Sequence, residues 1–71
     1  MSENIPAFVE RVKAEAKDLE DKVVSLEIFL KSKVVKEIGY LHEHLLTNQL
    51  AHMKAYLDVL KARISAFEGA K

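Results

Sequence analysis

The sequence has no cysteine, no tryptophan, one proline and two glycines among its 71 residues. The absence of cysteine excludes disulfides, thiolate chemistry and zinc sites with cysteine ligands, and it fits a reducing compartment. No uncharged run approaches the roughly 20 residues that span a bilayer. The first residues, from Met1 to Pro6, lack the basic and then apolar pattern of a signal peptide. We therefore expect a cytoplasmic protein with no membrane partner.

Charge and length narrow the class of protein further. Eleven Lys and Arg are balanced by eleven Asp and Glu, so the chain lacks the broad positive surface that binds duplex nucleic acid. A chain of this length forms one small domain with no room for a deep enzyme cleft. It has no glycine-rich phosphate loop and no nucleophile beside a base. We expect a protein that is not an enzyme and uses no cofactor.

Apolar residues follow two heptad stripes, which predict two long helices over 5–32 and 40–68. Spacings of 4 and 3 alternate strictly along the first stripe, which consists of Ile5, Val9, Val12, Ala16, Leu19, Val23, Leu26 and Leu30. The same alternation holds along the second, which consists of Leu46, Leu50, Met53, Leu57, Leu60, Ile64 and Phe67. Each stripe is typical of a helix that packs lengthwise on a partner.

The segment 33–39 is predicted to be the connection of an all-α, antiparallel two-helix hairpin. Gly39 interrupts the pattern, and Val34, Val35 and Ile38 are expected to cover the hairpin end. If residues near 31 and 41 face each other across the turn, the numbers of paired residues add up to about 72. The alternative is one unbroken rod, since glycine inside a helix costs only about 1 kcal/mol.

A lone hairpin buries one stripe per helix, whereas most stable helical domains surround their core with three or four helices. Further apolar residues lie off the seams near the hairpin end, namely Val24, Ile28, Phe29, Val34 and Val35. We expect this group to be the interface of a coiled-coil-like homo-oligomer, a dimer or a tetramer.

The second helix carries a further series outside its seam, formed by Leu45, Gln49, His52, Tyr56, Val59 and Arg63. One interpretation is an oligomer interface with polar positions. The other is a ligand-binding wall, in which Tyr56 or His52 stacks on a planar group and Arg63 binds an anion through its forked donors.

The chain has two arginines, Arg11 and Arg63. The expected register sets Arg11 level with Lys61 and Arg63 at the open end of the hairpin, where guanidinium groups suit a phosphate or carboxylate. The alternative is that each arginine pairs with a nearby acid on the surface, Arg11 with Glu15. Whether the arginines converge within one chain or across copies stays open.

The histidines do not form a metal site within one chain. His42 and His44 diverge by roughly 200° on a helix, and His44 and His52 are two turns apart. If they met across a symmetric interface, assembly would depend on pH.

Residues 10–64 resemble a family of short helical-hairpin proteins found in crAss-like and other tailed phages. The resemblance extends beyond the heptads to Arg11, Phe29, Met53, Tyr56 and Arg63. It departs in the connection, which is usually acidic with a proline in that family and here contains Lys33, Lys36, Gly39 and two nearby histidines.

Some small phage hairpin proteins of this kind are oligomeric sponges that bind cyclic dinucleotides or related signals of CBASS-type immunity. The resemblance therefore implies a phage anti-defence protein that acts without catalysis in the infected bacterium. It also implies that Arg11, Tyr56 and Arg63 bind the ligand, with His52 and Lys61 in secondary roles. The alternative is a helical interaction or self-assembly module without a small-molecule ligand.

Overall fold

A computed structural model describes residues 4–69, with side chains from Ala7 onward, and it shows an antiparallel helical hairpin. α1 spans Asn4–Lys31, the one-turn helix α2 spans Val34–Glu37, and α3 spans Tyr40–Gly69. The hairpin is 51 Å long and 15 Å by 14 Å in cross-section. The predicted all-α hairpin is therefore confirmed over the unbroken rod. The seam contact expected of Ile5 lies outside the described side chains.

The core is the seam between α1 and α3. Its buried residues are Val12, Ala16, Val23, Leu57 and Leu60. Leu60 is the most buried of them, with 0% of its surface exposed. The partly buried residues packed against this cluster are Phe8, Leu19, Leu50, Met53 and Ile64. All except Phe8 belong to the two heptad stripes, so the stripes identify the core correctly.

The chain reverses between Ser32 and Gly39. The backbone N–H and the hydroxyl of Ser32 both donate to the Phe29 carbonyl, at 3.0 Å and 2.6 Å, which ends α1. Gly39 has a φ of 96°, a left-handed conformation that L side chains disfavour. Its carbonyl accepts the N–H of Glu43 at 3.1 Å, which starts the first turn of α3. Gly39 therefore makes the second bend of the connection.

The short helix α2 covers the end of the hairpin with Val35, which is 1% exposed. Val34 and Ile38 are 50% and 37% exposed. The prediction that all three are tucked inward is correct for Val35 and wrong for the other two, because a single helical turn points only one side at the core. Burial within the protomer also removes Val35 from the surface that was expected to contact another copy.

The register of α1 against α3 is set by contacts on both flanks of the seam. On one side of the seam, contacts between the helices join residues whose numbers add up to 81, such as Lys13 and Glu68. On the other side the numbers add up to 71, as for Glu15 and Tyr56. Seam pairs lie midway, at about 76, as for Ala16 and Leu60. The expected value of 72 is wrong by one helical turn, because the first turn of α3 extends past α1 and lies beside α2, where Lys36 and Glu43 are 3.6 Å apart.

Candidate functional site

One side of the seam, which we call the ion-pair flank, is closed by salt bridges between the helices. The lysine Nζ to glutamate Oε2 distances are 2.8 Å for Lys13–Glu68, 2.7 Å for Lys54–Glu27 and 3.7 Å for Lys61–Glu20. The hydrogen bond from Lys54 lowers the pKa of Glu27, and the hydrogen bond to Glu68 raises the pKa of Lys13. These charges neutralise one another across the seam, so this flank joins the helices.

The other side, which we call the aromatic flank, has different chemistry. The Cζ atom of Arg63 lies 5.5 Å from the centroid of the Phe8 ring, a cation–π contact. Two turns away from Phe8 towards the hairpin end, the Tyr56 hydroxyl donates a hydrogen bond to the Glu15 carboxylate. That hydrogen bond is the main cause that raises the pKa of Tyr56, followed by desolvation and the Glu15 charge, whereas Arg63 lowers it. Tyr56 is therefore a neutral phenol whose ring is held in place by Glu15.

The Phe8 ring, which Arg63 contacts, also packs on Phe67. The rings of Phe8 and Phe67 meet edge to face, with centroids 5.5 Å apart and planes at 73°, which is a favoured aromatic geometry. Phe8 and Glu15 are parts of the site that the sequence reasoning missed. Their spacing of seven residues places them at the same heptad position, and this is the signal that would have identified them.

Arg11 and Arg63 have no carboxylate partner within salt-bridge distance among the described residues. The alternative that Arg11 pairs with Glu15 is wrong, because Glu15 accepts the hydroxyl of Tyr56 instead. Arg11 lies three residues after Phe8 and four before Glu15, so it shares their side of α1. The aromatic flank therefore carries two cations without a bound counter-charge.

The remaining predicted ligand residues fall in different places. Lys61 lies on the ion-pair flank with Glu20, because residues two apart on a helix diverge by roughly 200°. His52 is exposed one turn before Tyr56. The structure therefore puts Arg11, Tyr56 and Arg63 on one surface, leaves His52 at its edge and separates Lys61 from it.

An open groove of about 440 Å³ continues the aromatic flank towards the turn. Residues of both helices line it, namely Asp21, Lys22, Ser25 and Leu26 of α1 and Gln49 and Met53 of α3. Its volume is in the range of small-molecule sites, but the groove is open to solvent along its length. One protomer therefore offers a wall and a floor for a ligand but does not enclose it.

The apolar residues predicted near the hairpin end also differ in exposure. Val24, Ile28 and Val34 are 48%, 65% and 50% exposed, and we call them the turn-end patch. Phe29 is half-buried and Val35 is buried. Three of the five residues are therefore available to another molecule.

The histidines near the start of α3 lie away from both flanks' contacts. The His44 ring stacks on Tyr40 with centroids 6.3 Å apart. Within residues 4–69 there is no group of three or more His, Asp or Glu side chains that could hold a metal ion. In the same range, no helix is long and apolar enough to cross a membrane.

The fold and the aromatic flank define a class of small helical hairpin with an exposed cationic and aromatic surface. Residues 6–66, most of the chain, match the family model described as Sequestin, so the chain belongs to the Sequestin family. The family name denotes sequestering, which is a binding role and agrees with the resemblance to small phage sponge proteins. The chain matches no curated protein and no solved structure.

Proposed function

We propose that the protein is a phage anti-defence protein that binds and sequesters a cyclic oligonucleotide signal of CBASS-type immunity in the cytoplasm of the infected bacterium. The observation that carries this proposal is the pair of arginines without carboxylate partners, Arg11 and Arg63, on the flank that presents Tyr56. Sequestration requires no covalent step, and membership of the Sequestin family supports a binding role.

The phosphates of such a signal match the cations of the aromatic flank. A cyclic dinucleotide carries two phosphates, and an arginine side chain binds a phosphate through two parallel hydrogen bonds. The net charge of zero is compatible with this, because the lysines of the ion-pair flank are neutralised by glutamates. Lys22, which lines the groove on the aromatic flank, is likewise paired with Asp18, at 3.2 Å, so among the described residues Arg11 and Arg63 are the cations of this flank without a carboxylate partner.

The bases match the aromatic surface. Tyr56 is 46% exposed, so its ring is accessible to a planar group. Stacking of a base on an aromatic ring contributes about 1–3 kcal/mol. Glu15 holds the ring through its hydroxyl, and a carboxylate at this position also accepts hydrogen bonds from the exocyclic amino group of a base. His52, one turn from Tyr56, lies at the edge of this surface.

The open groove explains why the proposed site lies at a junction between copies. A small ligand usually has most of its surface buried in its site, and one protomer leaves the groove open to solvent. A second copy supplies the missing cover. We therefore place the ligand between protomers of a homo-oligomer.

Isothermal titration calorimetry against cyclic dinucleotides, cyclic trinucleotides and pyrophosphate-containing nucleotides tests the proposal. We expect saturable binding of at least one of them. Loss of a charge-assisted hydrogen bond is worth about 1.5–3 kcal/mol, so Arg63→Ala should weaken binding roughly 10-fold to 100-fold. Lys61→Ala is the matched control, two residues away on the ion-pair flank, and should leave the affinity within about twofold. No heat with any nucleotide, or equal losses in both variants, would contradict the proposal.

The fate of the ligand separates sequestering from catalysis. Nucleotide released by heating the complex should have the same mass and retention time as the nucleotide that was added. Conversion to another product would show that the site is catalytic.

The turn-end patch favours a second candidate function, an interaction module for another protein without a small-molecule ligand. Ile28 is 65% exposed on the outside of α1, and exposed apolar patches often mark protein interfaces. A host or phage protein that copurifies in a fixed ratio with the wild type and is lost with Ile28→Glu would support this candidate. Retention of a nucleotide without any such protein would support sequestration.

A further inference from the structure

The outer side of α3, away from α1, carries a third heptad stripe, which we call the outer stripe. Its eight positions run from residue 41 to residue 66 with alternating spacings of 4 and 3. The first half consists of Leu41, Leu45, Asn48 and His52. The second half consists of Ala55, Val59, Ala62 and Ala66. Every one of these side chains is exposed in the protomer.

The outer stripe is free of Lys, Arg, Asp and Glu along its whole length. The equivalent stripe on the outside of α1 carries two aspartates, Asp18 and Asp21, as a solvated helix face does, and Arg11 lies where this stripe borders the aromatic flank. Two helices that share the same inner seam therefore differ on their outer faces. An uncharged heptad stripe is typical of a helix with a second packing partner.

The small core of the hairpin leaves room for such a partner. Among the described residues, six hydrophobic side chains are buried; five lie along the seam, and the sixth, Val35, belongs to α2. Helices of 28 and 30 residues that bury so few side chains gain stability from a further helical layer.

We propose that two copies of this chain pair through their outer stripes, with the two α3 helices antiparallel and α1 on the outside of each. The stripe is self-complementary in this arrangement, because its large half meets the small half of the other copy. Leu41 packs on the partner's Ala66, and Leu45 packs on the partner's Ala62. His52 packs on the partner's Ala55 next to the two-fold axis.

Packing distinguishes this pairing from the alternatives. Parallel helices would set leucine against leucine at one end and alanine against alanine at the other, which leaves the small end underpacked. An antiparallel pairing shifted by one heptad leaves two stripe residues of each copy without a partner. Only the register in which paired numbers add up to about 107 uses all eight positions.

The charges beside the outer stripe agree with the same register. In the hairpin, the numbers of paired residues add up to about 76 along the seam, to 81 on the ion-pair flank and to 71 on the aromatic flank. The flank pairs are therefore offset from the seam pairs by five in either direction. Applied to the dimer, this geometry sets His44 beside the partner's Asp58 and Arg63 beside the partner's Gln49. No two like charges meet, and opposite or hydrogen-bonding groups face each other.

The dimer also completes the aromatic flank, and this step rests on the proposed function. Tyr56 lies at the two-fold axis beside its own symmetry copy, and each Arg63 gains the partner's Gln49 as a neighbour. The two Arg63 residues are fourteen positions apart along the paired helices, which is about 21 Å at 1.5 Å per residue. One small nucleotide does not span that distance, so the dimer holds two equivalent sites and binds one nucleotide per chain.

Sedimentation analysis without any nucleotide tests the dimer, so its failure is separate from a failure of nucleotide binding. We expect the wild type to sediment at twice the 8.1 kDa of one chain. Ala62→Glu, which sets a charge against the partner's Leu45, should stay helical by circular dichroism and raise the dissociation constant at least 100-fold. Ile28→Glu is the matched control on the outside of α1 and should remain dimeric. A monomeric wild type, or a dimer that is lost with Ile28→Glu and kept with Ala62→Glu, would overturn the proposal.

Disulfide trapping tests the register independently of charge insertion, and the absence of native cysteine makes it unambiguous. The double variant Leu45→Cys with Ala62→Cys should oxidise to a covalent dimer, because these positions face each other across the interface. The double variant Leu41→Cys with Val59→Cys is one heptad out of register, with both positions far from the two-fold axis, and should oxidise at least 10-fold more slowly. Equal rates for the two variants would refute the antiparallel register.

Discussion

The backbone at Gly39 offers a direct test of the reversal on which the hairpin depends. Its φ of 96° lies in the left-handed region, which costs an L residue with a side chain about 1–2 kcal/mol. A Cβ atom at this position would meet no heavy atom of the surrounding structure within 4 Å, so the cost comes from the local backbone conformation alone. Gly39→Ala should therefore lower the free energy of unfolding by about 1–2 kcal/mol, which for a domain of this size is about 4–16 °C in melting temperature.

Thermal melts followed by circular dichroism at one protein concentration would measure this shift. Gly69→Ala is the matched control, because a Cβ there also meets no atom within 4 Å and Gly69 has no positive φ. It should leave the melting temperature unchanged or raise it slightly. Replacement of Gly39 by D-alanine, which favours positive φ, should restore or exceed the wild-type value. If Gly39→Ala melted at or above the wild type, residue 39 would be in a right-handed helix and the chain would be a rod.

Three further predictions concern the core and the two flanks. Leu60→Ala should lower the free energy of unfolding, measured by chemical denaturation, by about 3 kcal/mol, because Leu60 is completely buried. Ile28→Ala, at an exposed position, should lower it by less than about 0.5 kcal/mol. Similar losses for the two variants would place Leu60 outside the core. Glu15→Gln should lower the pKa of Tyr56 in a Tyr40→Phe background, since the hydrogen bond to Glu15 is the main cause of the raised pKa, and an unchanged phenolate titration would contradict the contact. The raised pKa of Tyr56 also means that its contribution to stability is present below its ordinary pKa of 10.0 and is lost as the pH rises through the folded-state value. Glu27 behaves oppositely: Lys54 lowers its pKa from 4.5, so its contribution is present above that pH and is lost as the pH falls through the folded-state value. Lys54→Gln should therefore flatten the acid dependence of the melting temperature, and an unaltered pH profile would show that the pair contributes nothing.

The inner seam could be predicted from the sequence because its apolar residues alternate without a break. The register could not be predicted from the seam alone, since a shift by a heptad also aligns apolar residues. The charges beside the seam carried the missing information. Lysine faces glutamate at each level where the sum is 81, and the sequence shows these complementary charges once that pattern is tested.

The connection was harder to predict for a different reason. Val34 and Val35 are adjacent valines, and only the rotation of the one-turn helix α2 decides which of them is buried. A single turn is too short for periodicity to determine that rotation.

The candidate site was predicted in part. Arg11, Tyr56 and Arg63 were predicted as ligand residues, and the structure places all three on the aromatic flank. Lys61 was predicted as a ligand residue because the expected register sets it level with Arg11. That level does not fix the side of the helix, and Lys61 lies on the ion-pair flank with Glu20. Phe8 was missed because it lies outside the apolar stripe.

Native mass spectrometry of the protein, purified from a bacterium that makes cyclic nucleotide signals, tests the central claim most directly. It reports the number of chains and any retained nucleotide in one spectrum. Our account predicts a dimer that carries two nucleotides, each released with its mass unaltered, and an Arg63→Ala protein that arrives as an empty dimer. A wild-type protein that is monomeric and free of nucleotide would contradict it.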